Sequence, residues 1–123
     1  MAQSSGSFHE REDALSPETR DRHRAIVSIM EELEAVDWYH QRSLATGDPE
    51  LRALLEHNRD EEKEHASMLL EWLRRRDPKL DEHLRTYLFT TGSIVDLEHE
   101  AEHGDDAASG GDLGIGSLRA VAS

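Results

Sequence analysis

Thr46-Gly47-Asp48-Pro49 is the stretch on which the fold turns. No proline or glycine interrupts the chain between Pro17 and Ala45, or between Glu50 and Arg76. Ser16-Pro17-Glu18 has the form of a helix start, with Ser16 as cap, Pro17 at the first helical position and Glu18 near the positive end of the dipole. A first helix of about 28 residues, roughly 42 Å long, is expected to run from there to about Leu44. A second should start at Pro49 and end near Arg76, before Asp77-Pro78. Two long helices joined by so short a loop must lie antiparallel, as an αα-hairpin.

Outward from the hairpin the pattern weakens. Residues 1–15 are small and polar without apolar periodicity and are expected to form a flexible arm. Residues 79–90 read as a shorter third helix, with Leu80, Leu84, Tyr87 and Leu88 at helical spacing. A helical turn or two is expected within Ile94–His103, and 91–112 as a whole reads as a flexible linker by composition. An apolar patch, Leu113-Gly114-Ile115-Gly116-Ser117-Leu118, follows within the tail 113–123. Residues 16–90 are thus the folded domain, all-α.

Composition narrows the chemistry. The chain has 14 basic and 27 acidic residues among 123, for a formal charge of -13. That field repels phosphate backbones and anionic lipid and attracts cations, so neither nucleic acid nor a membrane is an expected partner. There is no cysteine, hence no thiolate nucleophile, iron–sulfur cluster or cysteine–zinc site. No apolar run approaches a transmembrane length and no apolar signal core is evident, which predicts a soluble, cytoplasmic protein. A mean hydropathy of -0.75 leaves little for a private core, and burial between copies is expected instead.

At 100° per residue, Ala25, Ile29, Glu32, Val36 and Tyr39 fall within an arc of about 80° on the first helix. On the second, Leu51, Leu55, Asn58, Glu62, His65, Leu69 and Leu73 share a similar arc. Glu32, Glu62 and His65 therefore interrupt apolar stripes. Measured from the turn, Glu32 and Glu62 lie at the same height. Glu62 and His65 form an E-x-x-H pair, whose spacing places both on one helix face. With eight histidines and 16 glutamates such a pair arises roughly once by chance, and Glu100/His103 supplies a second. The position of Glu32 distinguishes them, because uncompensated carboxylates in an apolar seam are costly unless they share a cation. The plainer alternative is a local Glu62–His65 pair with Glu32 bridged to an Arg or Lys.

Oxygen-rich ligation with one imidazole suits iron, manganese or zinc. A di-iron bundle needs a Glu from each of two helices and an E-x-x-H from each of the other two. This chain holds half that set, and a two-fold dimer would supply the whole. Glu31, Glu34 and Trp38 form another face, readable either as a solvated acidic surface or as a lane drawing cations inward. Tyr39 either packs in the core or donates a hydrogen bond to a liganding carboxylate. His99-Glu100-Ala101-Glu102-His103 fits H-x-x-E-H formally, but has no apolar stripe and no third ligand, and no catalysis is expected there.

Over about residues 20–90 the sequence resembles the encapsulated ferritins. The likeness is strongest in Arg22–Ser28, in Met30-Glu31-Glu32-Leu33-Glu34-Ala35-Val36-Asp37-Trp38-Tyr39, in His57-Asn58-Arg59-Asp60-Glu61-Glu62-Lys63-Glu64-His65, and in Glu71–Arg75. Leu113–Leu118 looks like the peptide that docks cargo into encapsulin shells. The resemblance implies a two-helix subunit dimerising into a ferritin-like four-helix bundle, and a ring of dimers, commonly a decamer. It implies a ferroxidase with a di-iron site at the subunit interface, where Glu32, Glu62 and His65 bind Fe2+, O2 oxidises it, and the product goes to mineral storage inside a prokaryotic encapsulin nanocompartment. On the same ground Glu31 and Glu34, with Trp38, become an ion-uptake site and Tyr39 a companion of the di-iron site. The competing class is a non-catalytic helical scaffold or cargo adaptor that binds divalent metal.

Overall fold

The computed structural model describes residues 7–108. Leu113–Leu118, the proposed docking peptide, lies outside the described residues, as do 1–6 and the end of the expected linker, 109–112. Among the described residues there are four α-helices and no strand: α1 Pro17–Ala45, α2 Pro49–Arg74, α3 Pro78–Tyr87 and α4 Ile94–Ala108. The all-α expectation holds.

The chain's three prolines explain three of the helix starts, since each stands at the first helical position behind a side-chain cap. Ser16 Oγ accepts from the Thr19 amide at 3.1 Å, Asp48 Oδ1 from the Glu50 amide at 3.2 Å, and Asp77 Oδ1 from the Leu80 amide at 3.0 Å. Both long helices keep the ends that the sequence predicts to within about two residues, the usual scatter of such boundaries.

The chain divides into two compact units, Met1–Arg76 and Asp77–Ser123. The sequence predicts a single folded stretch over 16–90, whereas the division falls where Asp77-Pro78 stops one helix and caps the next.

In the first unit α1 and α2 pack antiparallel, and four cross-helix contacts fix the register. Arg52 Nη2 donates to Thr46 O at 3.0 Å beside the turn, and Arg59 Nη1 meets His40 Nδ1 at 3.1 Å. His65 Nδ1 lies 3.5 Å from Glu32 Oε2, and Arg22 Nη2 donates to Arg76 O at 2.8 Å at the far end. Steps away from the turn on one helix are matched to within two residues on the other, so the hairpin runs its full length without a slip. Its centre is thin: Ala25, Ala66, Leu73 and Ser43 are buried, small residues in three cases out of four, which lets the helices approach closely. Ser43 donates to His40 O at 2.7 Å, which satisfies its hydroxyl. Large apolar side chains including Ile26, Leu33, Leu44, Leu54 and Met68 stay exposed. Within the expected arm 1–15, Glu12–Ala14 forms one 3-10 turn, and the Phe8 ring lies 4.3 Å from that of His23.

In the second unit α3 and α4 contact each other. The linker expected over 91–112 carries α4 across 94–108, longer than a turn or two. Ser93 Oγ accepts from the Asp96 amide at 3.3 Å, a helix-start signal outweighed in the sequence by Gly104 and the acidic residues after it. No helix of the described residues is long and apolar enough to cross a membrane.

Candidate metal centre

The acidic stretch Asp60–His65 sorts itself by what each carboxylate already holds. Asp60 is compensated: Arg59 Nε donates to it at 3.0 Å and Lys63 Nζ lies at 3.2 Å. The Arg59 hydrogen bond, and then that of Lys63, hold its carboxyl below the usual range. Glu61 Oε1 is 3.4 Å from His57 Nε2, one turn back on the same helix. Glu62 lies 3.6 Å from His65 Nδ1 and, among the described residues, has no Lys or Arg within ion-pair range.

Glu32 arrives from α1 at the same point. Its Oε2 is 3.5 Å from His65 Nδ1, and among the described residues that oxygen is buried without a hydrogen-bond partner. The plainer alternative required an Arg or Lys on Glu32; among the described residues there is none, and a half-exposed imidazole is all that approaches it. An orphaned carboxylate oxygen beside a second uncompensated carboxylate leaves negative charge that a cation would neutralise. Ligand atoms of Glu32, Glu62 and His65 all lie within 4.8 Å of one another. Two carboxylates and one imidazole form a hard, oxygen-rich donor set that fits Fe2+, Mn2+ or Zn2+.

The set is also open on one side. The side chains of Glu32 and Glu62 are 25% and 23% exposed and that of His65 is 42% exposed. Three ligands on one face leave coordination positions for other groups.

The remaining predicted residues fall elsewhere. Glu31 is exposed and Glu34 half-buried, and among the described residues neither joins a three-ligand group. Trp38, half exposed, lines a surface hollow with Gln41 and Arg42. Tyr39 is half-buried and carries the Arg42 guanidinium 5.7 Å from its ring centroid. Sequence patterning missed Glu61. Its Oε2 is 4.0 Å from His65 Nε2, and with Glu64 and His65 it makes a second group of close ligand atoms. Its signal was present as the i,i+4 spacing of His57, Glu61 and His65.

Residues 7–91 match the model of the EncFtn-like family. The chain belongs to the EncFtn-like family. Among relatives of this EncFtn-like chain, an encapsulated ferritin-like protein of Rhodospirillum rubrum is 61% identical over 132 aligned positions, covering 99% of the chain and 94% of the relative. An encapsulin nanocompartment cargo protein, EncC, of Myxococcus xanthus is 32% identical, covering 76% and 80% respectively. The crystal structure of protein ne0167 from Nitrosomonas europaea is 61% identical and superposes with a TM-score of 0.70, covering 72% of the EncFtn-like chain and 97% of its own. The all-helical, ferritin-like fold is consistent with that neighbour.

Proposed function

We propose that the chain is a ferroxidase subunit: two copies join about a two-fold axis, each giving Glu32, Glu62 and His65 to a di-iron site at their interface. The orphaned, buried Oε2 of Glu32, facing Glu62 and His65 from the opposite helix, carries this reading. Iron is the substrate. Each Fe2+ loses one electron, and paired ions deliver two together to O2, with protons drawn from water. The protein's part is electrostatic. Anionic oxygens stabilise the higher charge of Fe3+ more than that of Fe2+, which favours oxidation once the ion is seated. Glu62 and His65, one turn apart on α2, hold their donor atoms in fixed relation, while Glu32 closes the set from α1.

Similarity to an encapsulated ferritin-like protein and to an encapsulin nanocompartment cargo protein supports placing the product in an encapsulin compartment; Leu113–Leu118 as docking peptide and a prokaryotic cytoplasmic location are further parts of the proposal. The ring of dimers, the decamer, the ion-uptake role of Glu31, Glu34 and Trp38, and the Tyr39 contact to the site belong to the same proposal. Aerobic addition of Fe2+, followed by oxygen uptake and ferric absorbance together, tests it. Glu32→Ala, Glu62→Ala and His65→Ala should each remove the fast phase; unchanged initial rates in all three would sink the proposal. Metal-driven dimerisation without oxygen consumption would instead identify a scaffold or cargo adaptor.

A further inference from the structure

Each of the first three helices sets a cationic side chain beside one of its own carboxylates, and α4 does not. Arg24 stands 2.6 Å from Asp21 on α1, Lys63 3.2 Å from Asp60 on α2, and Arg85 2.9 Å from Asp81 on α3. Helix α4 carries acidic residues at 96, 98, 100, 102, 105 and 106 and neither Lys nor Arg. Asp96 with Glu100, and Glu98 with Glu102, put like charges one turn apart, which opposes the helix. Among the described residues the side chains of Asp96, Glu98, His99, Glu100, Glu102 and His103 make no hydrogen bond or ion pair.

The bases that α4 does hold are two histidines, one turn apart. At 100° per residue His99 and His103 lie about 40° apart around the helix, the i,i+4 placement in which two imidazoles hold one ion. Glu102, three residues after His99, and Glu100, three before His103, flank the pair on either side. All four are exposed, while Leu97 and Ala101, on the opposite face, are half-buried. No three ligand atoms of this set lie within 4.8 Å of one another, so the side chains must turn to close on an ion. Exposed and unpartnered side chains change rotamer readily.

From this placement we infer a metal site on α4, apart from Glu32, Glu62 and His65: His99 and His103 chelate one divalent transition-metal ion, with Glu100 or Glu102 as a third ligand. Two imidazoles make this donor set richer in nitrogen than the hairpin set, so it takes ions of the Zn2+ and Ni2+ class ahead of Fe2+ and does not take Mg2+. An ion held by successive turns fastens them together and offsets the acidic charge. Binding and the helicity of α4 therefore rise together.

The test is a Zn2+ titration of the full chain, followed through the ring NMR signals of each histidine and through amide hydrogen exchange. His99 and His103 should shift together and saturate at one ion per chain, with slower exchange across 94–103, and a large excess of Mg2+ should leave those shifts in place. His65 reports the hairpin set in the same titration, so failure of the di-iron reading and failure of this one are seen separately. Alanine favours a helix more than histidine does, so His103→Ala does not weaken α4 by propensity. It should still lower Zn2+ affinity at His99 at least about tenfold, since a ligand matters no less than the groups that orient one. Exchanging two residues, Glu100→His with His103→Glu, keeps the charge and the histidine count but sets the imidazoles about 100° apart, and should lower affinity as much. Absence of joint shifts at His99 and His103 in the parent overturns the inference. So does undiminished affinity in either variant, or displacement of Zn2+ by Mg2+, which would leave only a diffuse attraction of cations to an acidic helix. Circular dichroism checks that each variant keeps the hairpin.

Discussion

Glu71 and Glu32 are both glutamates on long helices, and their neighbours give them opposite fates. Arg74 Nε and Nη2 donate to the two oxygens of Glu71 at 2.7 Å, and Arg75 Nε adds a third bond at 2.8 Å. Those hydrogen bonds, Arg74 first, bring its carboxyl down to about 2. Because the folded value is depressed, the contribution of this cluster is fully present above the ordinary glutamate range and is lost as pH falls through about 2. Carboxyl NMR should find the Glu71 midpoint near 2 in the parent and back in the ordinary range in Arg74→Gln/Arg75→Gln; a parent midpoint near 4.5 would contradict the assignment. Among the described residues Glu32 has no such guanidinium, which is why a cation is the natural counter-charge there and not at Glu71. The Glu71 cluster lies entirely within i,i+3 and i,i+4 spacing and is legible in the sequence. The isolation of Glu32 is legible only once its neighbours across the hairpin are known.

At the level of elements, the caps make the hairpin's ends sharp. Ser16→Ala removes the acceptor for the Thr19 amide and should cost about 1 kcal/mol, read from chemical denaturation. Past the end of α3, Phe89 sits at φ 63 and is 79% exposed, a left-handed conformation that a side chain enters at a cost and glycine does not. Phe89→Gly should therefore gain up to about 1 kcal/mol, provided the ring makes no compensating contact; a lower melting temperature would show that it does. The start of α3 was legible because Asp77-Pro78 is a strong local signal. The extent of α4 was not, because its sequence mixes Ala and a Ser cap with glycine and like charges, and such weak propensities are decided by packing against a neighbour.

The whole molecule leaves apolar surface unused. Leu33 and Met68 are 54% and 59% exposed, on the same two helices as Glu32, Glu62 and His65. Apolar residues in this number outside a small core point to burial between copies. Sedimentation should show the parent larger than a monomer and Leu33→Lys shifted towards the monomer, since a desolvated ammonium opposes the contact. If Glu32, Glu62 and His65 are shared between copies, that substitution should also lower the rate of ferrous oxidation without touching a ligand. Monomeric Leu33→Lys with undiminished oxidation would separate the site from the interface.

By itself the sequence determined the two long helices, their caps, their antiparallel sense and the apolar arcs that Glu32, Glu62 and His65 interrupt. All of these follow from short-range backbone preferences and from a period of about 3.6 residues. Only the tertiary structure decided that ligand atoms of Glu32, Glu62 and His65 lie within 4.8 Å of one another and that, among the described residues, the buried Oε2 of Glu32 has no hydrogen-bond partner and no Lys or Arg beside it. The reason is geometric. Spacing along a chain sets which face of a helix a side chain occupies, but which atoms face one another depends on the rotation and register of one helix against its neighbour, and these are set by how small residues such as Ala25 and Ala66 let the helices close.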